Sequence, residues 1–179
     1  ATLQGTNGFG ENWNGSVTIT GNVTFDVGSW MHIANAITGT GTLIKVSNGN
    51  LVLHGNNTYS GGTTVAYGTL RAAGNASAFG RAKVTVNDGA TLDVYGYAIA
   101  NDIDLSGTGV SSAGALQNTN TSQGSTPTLT GTITLLASSS LGGTANYILD
   151  SASSNISGSG KALTKVGSNT ITRNDANTY

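Results

Sequence analysis

The chain has 179 residues, of which only 8% are charged, seven Lys and Arg against eight Asp and Glu, and 27 are glycine. A net charge of −1 offers no basic field to gather phosphates, which argues against a nucleic-acid partner. Cysteine is absent and Pro127 is the single proline, so a disulfide scaffold, a thiolate metal site and a proline-rich linker are excluded.

No apolar run reaches the roughly 18 residues of a membrane helix, and no charged segment with an apolar core behind it opens the chain. Chains rich in Gly, Ser and Asn often stay disordered, because they bury too little apolar surface to offset their ordering entropy. Here 37% of the residues are hydrophobic, and they fall in spaced runs. An uncharged polar surface over a continuous core is expected.

In chain order those runs are Val17-Ile19, Val23-Phe25, Ile44-Val46, Leu51-Leu53, Val84-Val86, Leu92-Val94, Ile103-Leu105 and Ile133-Leu135, each apolar at alternate positions. A period of two predicts strands with one side turned inward. Turn formers stand between them, among them Asn48-Gly49, Gly61-Gly62, Asn87-Asp88-Gly89, Ser106-Gly107 and Gly142-Gly143,. No window carries a helical period, so the whole chain reads as strand and loop.

Internal similarity suggests how the strands are arranged. Leu43-Ile44-Lys45-Val46, up to Asn57-Thr58-Tyr59, matches Leu163-Thr164-Lys165-Val166, up to Asn177-Thr178-Tyr179, without a gap. Upstream, Ile37-Thr38-Gly39-Thr40-Gly41 answers Ile156-Ser157-Gly158-Ser159-Gly160. Residues 1–179 thus read as one segment, with a repeat unit over 37–155 and a truncated second copy over 156–179. In that copy Arg173 takes the place of Leu53, putting a charge at an inward position. A unit of strands and turns cannot bury its apolar side alone and has to stack on neighbours. The expected fold is all-β, a solenoid of roughly eight coils at about 22 residues each, on the order of 40 Å long at about 4.8 Å per coil. An antiparallel sandwich with Asn-Gly hairpins is the competing all-β arrangement, and it accounts less well for the repeat.

The stretch from Gly49 to Leu70 contains Leu51-Val52-Leu53, then Gly55-Asn56-Asn57-Thr58-Tyr59-Ser60-Gly61-Gly62-Thr63, then Gly68-Thr69-Leu70. This pattern resembles the autotransporter-associated β-strand repeat, and Gly74–Gly80 with Val84–Leu92 is similar to its continuation. The likeness covers about residues 37–105 well and 156–179 in part. It implies a right-handed parallel β-helix, secreted by a Gram-negative bacterium and displayed at its surface or released, with a structural or adhesive role. It brings no catalytic residues to carry over. Expected partners are other copies of the chain, head to tail or side by side, or a glycan or protein on a host or neighbouring cell; the low charge opposes association little. Gly61, Gly62 and Gly68 are expected to take positive φ at tight corners, and Asn57 to lie in a corner or in a solvated loop. The second copy halts at Asn177-Thr178-Tyr179, so an associating or frayed edge is expected from about residue 161.

A carbohydrate-active β-helix is the alternative, and it needs carboxylates gathered in one groove. The best cluster is Asp102 and Asp104, two apart on one strand, with Asp93 about one coil below; strand alternation favours solvated outward edges flanking Ile103 and Leu105. His32 and His54 also lie about one coil apart, either as a stacked metal pair or as two surface residues. No serine nucleophile is indicated, because neither histidine accompanies a Gly-x-Ser-x-Gly elbow. Asn-x-Ser/Thr triplets such as Asn14-Gly15-Ser16 and Asn75-Ala76-Ser77 arise by composition alone. Thr18-Ile19-Thr20, Thr38-Gly39-Thr40 and the threonines of 130–134 would present hydroxyl rows to ice or glycan if aligned. No catalytic, cofactor-binding or metal-binding residue is assigned, and neither enzymatic activity, a cofactor nor membrane insertion is expected.

Overall fold

The computed structural model describes residues 1–5, 11–122, 124, 126–150 and 156–174. Short strands with alternating apolar residues cannot close a core within one turn of chain, and each pairs in parallel with a strand about one coil away. One stack contains Thr2–Gly5, Val23–Val27, Leu43–Val46, Thr63–Val65, Val84–Val86, Ile103–Gly107, the start of Ile133–Gly143, and Ile156–Ser157. A second contains Glu11–Trp13, Trp30–Ile33, Asn50–Leu53, Thr69–Ala72, Thr91–Asp93, Leu116–Asn118, the end of Ile133–Gly143, and Leu163–Lys165. A third begins with Val17–Ile19 on Ile37–Gly39 and ends with Thr128–Leu129, Tyr147–Leu149 and Ile171–Arg173. Between these, backbone bonds from Thr58 N to Ile37 O (2.9 Å), Arg81 N to Tyr59 O (3.1 Å) and Thr130 N to Ile99 O (3.0 Å) carry the third stack through the middle coils. The result is a parallel β-solenoid of about eight coils with no α-helix among the described residues.

Inward positions form ladders. Val23, Leu43, Thr63, Val84, Ile103, Ile133 and Ile156 line one. Met31, Leu51, Leu70, Leu92, Leu116 and Leu141 line another, and all six are buried. Each such side chain contributes roughly 1.5–3 kcal/mol relative to exposure. Repeated every coil, this is what holds the stack together.

One expected inward pair is out of register. In Leu43-Ile44-Lys45-Val46 it is Leu43 and Lys45 that are buried, while Ile44 and Val46 are half-buried. The segment is apolar at three of four positions, so alternation alone allows either phase. Pairing of Phe25 with Lys45 and of Lys45 with Val65 fixes the phase and places an ammonium inside a hydrophobic ladder. Its three protons go to the carbonyls of Val46 (2.9 Å) and Ser47 (2.6 Å) at the corner of its own coil and of Tyr67 (3.0 Å) on the next.

The two segments alike in sequence lie in different stacks. Leu43–Val46 belongs to the first, whereas Leu163–Lys165 pairs with Ser139, Ser140 and Leu141 in the second. Locally they agree: Lys165 Nζ donates to Gly167 O at 2.6 Å, as Lys45 Nζ does to Ser47 O, and Ser47 and Gly167 both have positive φ. Arg173 registers with Leu149 and is exposed; Asp175 to Tyr179 lie outside the described residues. Cα partners on the first stack are about 20 residues apart until Leu105 meets Leu135, 30 residues on. That long coil includes the short 3-10 turn Val110–Ser112.

Candidate functional site

The densest group of chemistry-bearing side chains stands on the outer side of the second stack. Its register sets His32 over Val52, Val52 over Arg71, Arg71 over Asp93 and Asp93 over Gln117. Arg71 is the hub, with its guanidinium 4.5 Å from the Tyr95 ring centre and 5.3 Å from that of Trp30, and Nε 3.0 Å from Asp93 Oδ2. Asp93 is fully buried and accepts from Thr119 Oγ1 (2.5 Å), Tyr95 N (3.0 Å) and Thr119 N (3.2 Å) as well. A carboxylate so enclosed ties coils together; its lone pairs are already used.

The three acids considered from sequence do not share a groove. Asp93 is on the second stack, and Asp102 and Asp104 are at the start of and on a strand of the first. Asp102 accepts from Thr132 Oγ1 (2.7 Å) and Thr132 N (2.8 Å), and these bonds hold its carboxyl below the usual range. Asp104 pairs with Lys83 at 3.1 Å. Ile103, between them, and Leu105, after them, are buried, as expected.

The two histidines do meet: His32 Nδ1 is 3.0 Å from His54 Nε2, with ring centres 5.3 Å apart. Among the threonine rows, Thr18 Oγ1 contacts Thr38 Oγ1 at 3.2 Å on the third stack. A longer row, unseen in the sequence, runs up the first stack as Thr2, Thr24, Ile44, Thr64, Thr85, Asp104, Thr134 and Ser157. Ile44 and Asp104 interrupt its hydroxyls. Only the register reveals this row, because its members are spread over the whole chain. On the long coil, Asn118, Asn120, Thr121, Thr126, Thr144 and Asn146 line an uncharged hollow of about 240 Å³.

Residues 43–72 match the family of the passenger-associated transport repeat. The chain carries a passenger repeat within a β-helix. No curated protein and no solved structure matches it. The passenger repeat implies an extracellular or surface location, and no described helix is long and apolar enough to cross a membrane.

Within the passenger repeat the polar residues serve the neighbouring coils. Asn57, buried rather than solvated, accepts from Ile37 N (2.6 Å) and donates to Ala78 O (2.5 Å), bridging the coils on either side. Tyr59 OH meets Thr63 Oγ1 at 2.6 Å, and Thr63 donates onward to Phe79 O at 3.0 Å. Burial raises the Tyr59 hydroxyl far above its ordinary range, so it stays a neutral hydrogen-bonding group. Gly62 and Gly68 have positive φ, but Gly61 does not.

Proposed function

We propose that this segment is a rigid spacer in the secreted passenger of a Gram-negative autotransporter, holding other parts of that protein away from the cell envelope. The observation that supports this most is where its polar side chains go. Lys45, Asn57, Asp93, Asp102 and Asp104 each bond to an adjacent coil, so the sparse charge works along the axis of the rod. A parallel stack with in-register ladders transmits load from coil to coil. The test is surface display with an anchor at one end of the segment and an epitope tag at the other. Distance from tag to membrane, read by energy transfer to a lipid dye, is expected to shrink stepwise as single coils are deleted. A distance indifferent to coil number would overturn the proposal.

A second reading, adhesion to neutral glycans, is favoured by the hollow on the long coil. Amides and hydroxyls without charge suit a polyhydroxylated ligand, and insertions in a repeat array commonly carry binding. Titration with a panel of neutral oligosaccharides, followed by chemical-shift changes at Asn120 and Thr144, tests it. Shifts absent at millimolar sugar would remove it.

A further inference from the structure

Two imidazoles on adjacent coils meet on the outer side of the second stack, and the spacer reading makes no use of them. His32 lies in Trp30–Ile33, and His54 directly follows Asn50–Leu53, strands paired in register over four residues. His54 N donates to Ile33 O at 3.0 Å, so the backbone ladder fixes both attachment points. Trp30 stacks on His32 with ring centres 6.1 Å apart and planes 18° apart, which restricts that ring further. His32 Nδ1 and His54 Nε2 are 3.0 Å apart, while the ring centres are 5.3 Å apart. Nitrogens that close, between centres that far apart, lie nearly on the line joining the rings. The N–H of one ring points at the lone pair of the other.

We propose that this imidazole–imidazole hydrogen bond is an acid-sensitive latch between the second and third coils, closed by one bridging proton and opened when both rings become charged. In the neutral pair the donor ring's remote nitrogen is bare, and the acceptor ring's remote nitrogen carries its own proton. A first added proton goes to the bare nitrogen, and the bridge survives as a charge-assisted bond. A second can go only to the accepting nitrogen. There it sets two N–H groups head on and two positive charges side by side, which the closed geometry resists. Separated rings in solvent take up both protons. The open state therefore binds one proton more than the closed one, and acid drives the opening.

The surroundings suit this. Burial, with smaller contributions from His54 and Arg71, holds His32 below the ordinary imidazole range, so this ring is uncharged at neutral pH. Arg71 is the charged side chain acting on the pair, and Asp93 at 3.0 Å meets its charge. Asn12 registers with His32 from the preceding coil, whereas Glu11 registers with the buried Met31. Ala34 and Ala73, next after Ile33 and Ala72, which register with Leu53, flank His54. Among the described residues no uncommitted carboxylate thus stands in register with either ring to offset a second charge. Opening also has an apolar consequence. Val52 stands between His32 and Arg71 on the same outer side and is nonetheless only 2% exposed, so parting the side chains around it wets a hydrophobic residue.

The test compares the intact chain with the double variant His32→Gln/His54→Gln between pH 7.5 and 4.5, a difference in which Lys45 and the carboxylates common to both cancel. Imidazole nitrogen resonances of the wild type are expected to titrate as a coupled pair in two steps, the second at least about one pH unit below the ordinary 6.5. The Val52 methyl resonances are expected to move with that second step. Neither measurement needs a variant. Because the closed pair binds the second proton less well than the unfolded chain does, its contribution is complete above about pH 6.5 and lost as pH falls. The wild type is expected to lose stability relative to the double variant by up to about tenfold in the folding constant per pH unit. A single titration step near 6.5, Val52 methyls indifferent to the second step, or a stability difference that is flat or grows in favour of the wild type in acid would overturn the proposal. None of these outcomes bears on the spacer reading.

Discussion

Glycines in the passenger repeat are required for two distinct reasons, and only one was legible in the sequence. Gly68 has φ +68°, a corner conformation that turn chemistry anticipates. Gly61 has no such φ; a Cβ there would lie 2.5 Å from the carbonyl carbon and oxygen of Gly41, a crowding that exists only once the coils are stacked. Gly68 combines both, since its Cβ would also stand 2.5 Å from the oxygens of Ser47 and Gly49, whereas Gly89, at φ +78°, has open space around it. Gly89→Ala is therefore expected to cost about 1–2 kcal/mol from φ alone, and Gly68→Ala at least about 3 kcal/mol, because overpacking against backbone adds to the strain. Equal losses in chemical denaturation would show that crowding between coils is relieved by small shifts. Lys45 lends itself to a pH measurement. Burial pulls its ammonium down to about 8, partly opposed by Asp26, against about 10.4 in an unfolded chain. Between those values the unfolded state binds more protons, so this group makes stability rise with pH across that window. The buried Tyr59 and Tyr147, raised by burial, act in the opposite sense above about pH 10. The difference between wild type and Lys45→Met, in which the tyrosines cancel, should favour wild type increasingly from pH 8 to 9.5. A flat difference would mean that the carbonyl cage offsets the desolvation.

At the scale of the strand, period was readable and phase was not. Ile103-Asp104-Leu105 has one apolar phase that dominates, and its inward residues match expectation, whereas Leu51-Val52-Leu53 is apolar throughout and buried throughout. Leu43-Ile44-Lys45-Val46 offers two phases, and the choice belongs to its neighbours on the ladder. The same dependence hid the threonine row and the coupling of Arg71, Asp93 and Thr119, whose members lie up to 48 residues apart. The histidine pair was legible because its spacing equals one coil. Leu53 is buried and stacks between Ile33 and Ala72, whereas Thr18 is exposed. Leu53→Asp therefore places an unpaired carboxylate in the core and is expected to unfold the neighbouring coils, while Thr18→Asp changes stability by less than about 0.5 kcal/mol. Similar thermal shifts for the two would show that the inward and outward sides are misassigned. Asn57→Leu keeps the volume but orphans Ile37 N and Ala78 O, both tied through that amide. A loss of about 2–4 kcal/mol is expected, seen as faster amide exchange at Ile37.

The whole molecule is a one-dimensional object, and its stability is approximately a sum of coils and of the interfaces between them. Coil number was legible from repeat length, because strand spacing and turn spacing share one period. The shift of the second copy from the first stack to the second was not, since a strand and corner look alike wherever they fall on the coil. One-dimensionality makes whole coils removable while parts of coils are not. Leu43 pairs with Thr63, and Val23 N and Leu43 N donate to Thr42 O and Gly62 O in turn, so Thr42 and Gly62 are equivalent points on successive coils. Deleting residues 43–62 joins Thr42 to Thr63 without changing register. Val23 and Phe25 then meet Thr63 and Val65, and Met31 and Ile33 meet Leu70 and Ala72, so both inner ladders stay in register, with Thr63 a polar step that keeps its bond to Phe79 O but loses Tyr59. The deleted chain loses the Lys45 cage and the Asn57 bridge, but also the ladder position where a cation interrupts hydrophobic side chains. It is expected to fold, to melt several degrees lower, and to be shorter by about 4.8 Å in small-angle scattering. Deleting residues 43–52 removes half a coil instead, taking out Leu43–Val46 and most of Asn50–Leu53, and brings the third-stack segment around Thr58 where a first-stack strand belongs, so every later coil loses its place on the ladders. That chain is expected to be largely unfolded by circular dichroism. If both deletions folded alike, coils could not be the units from which this rod is assembled.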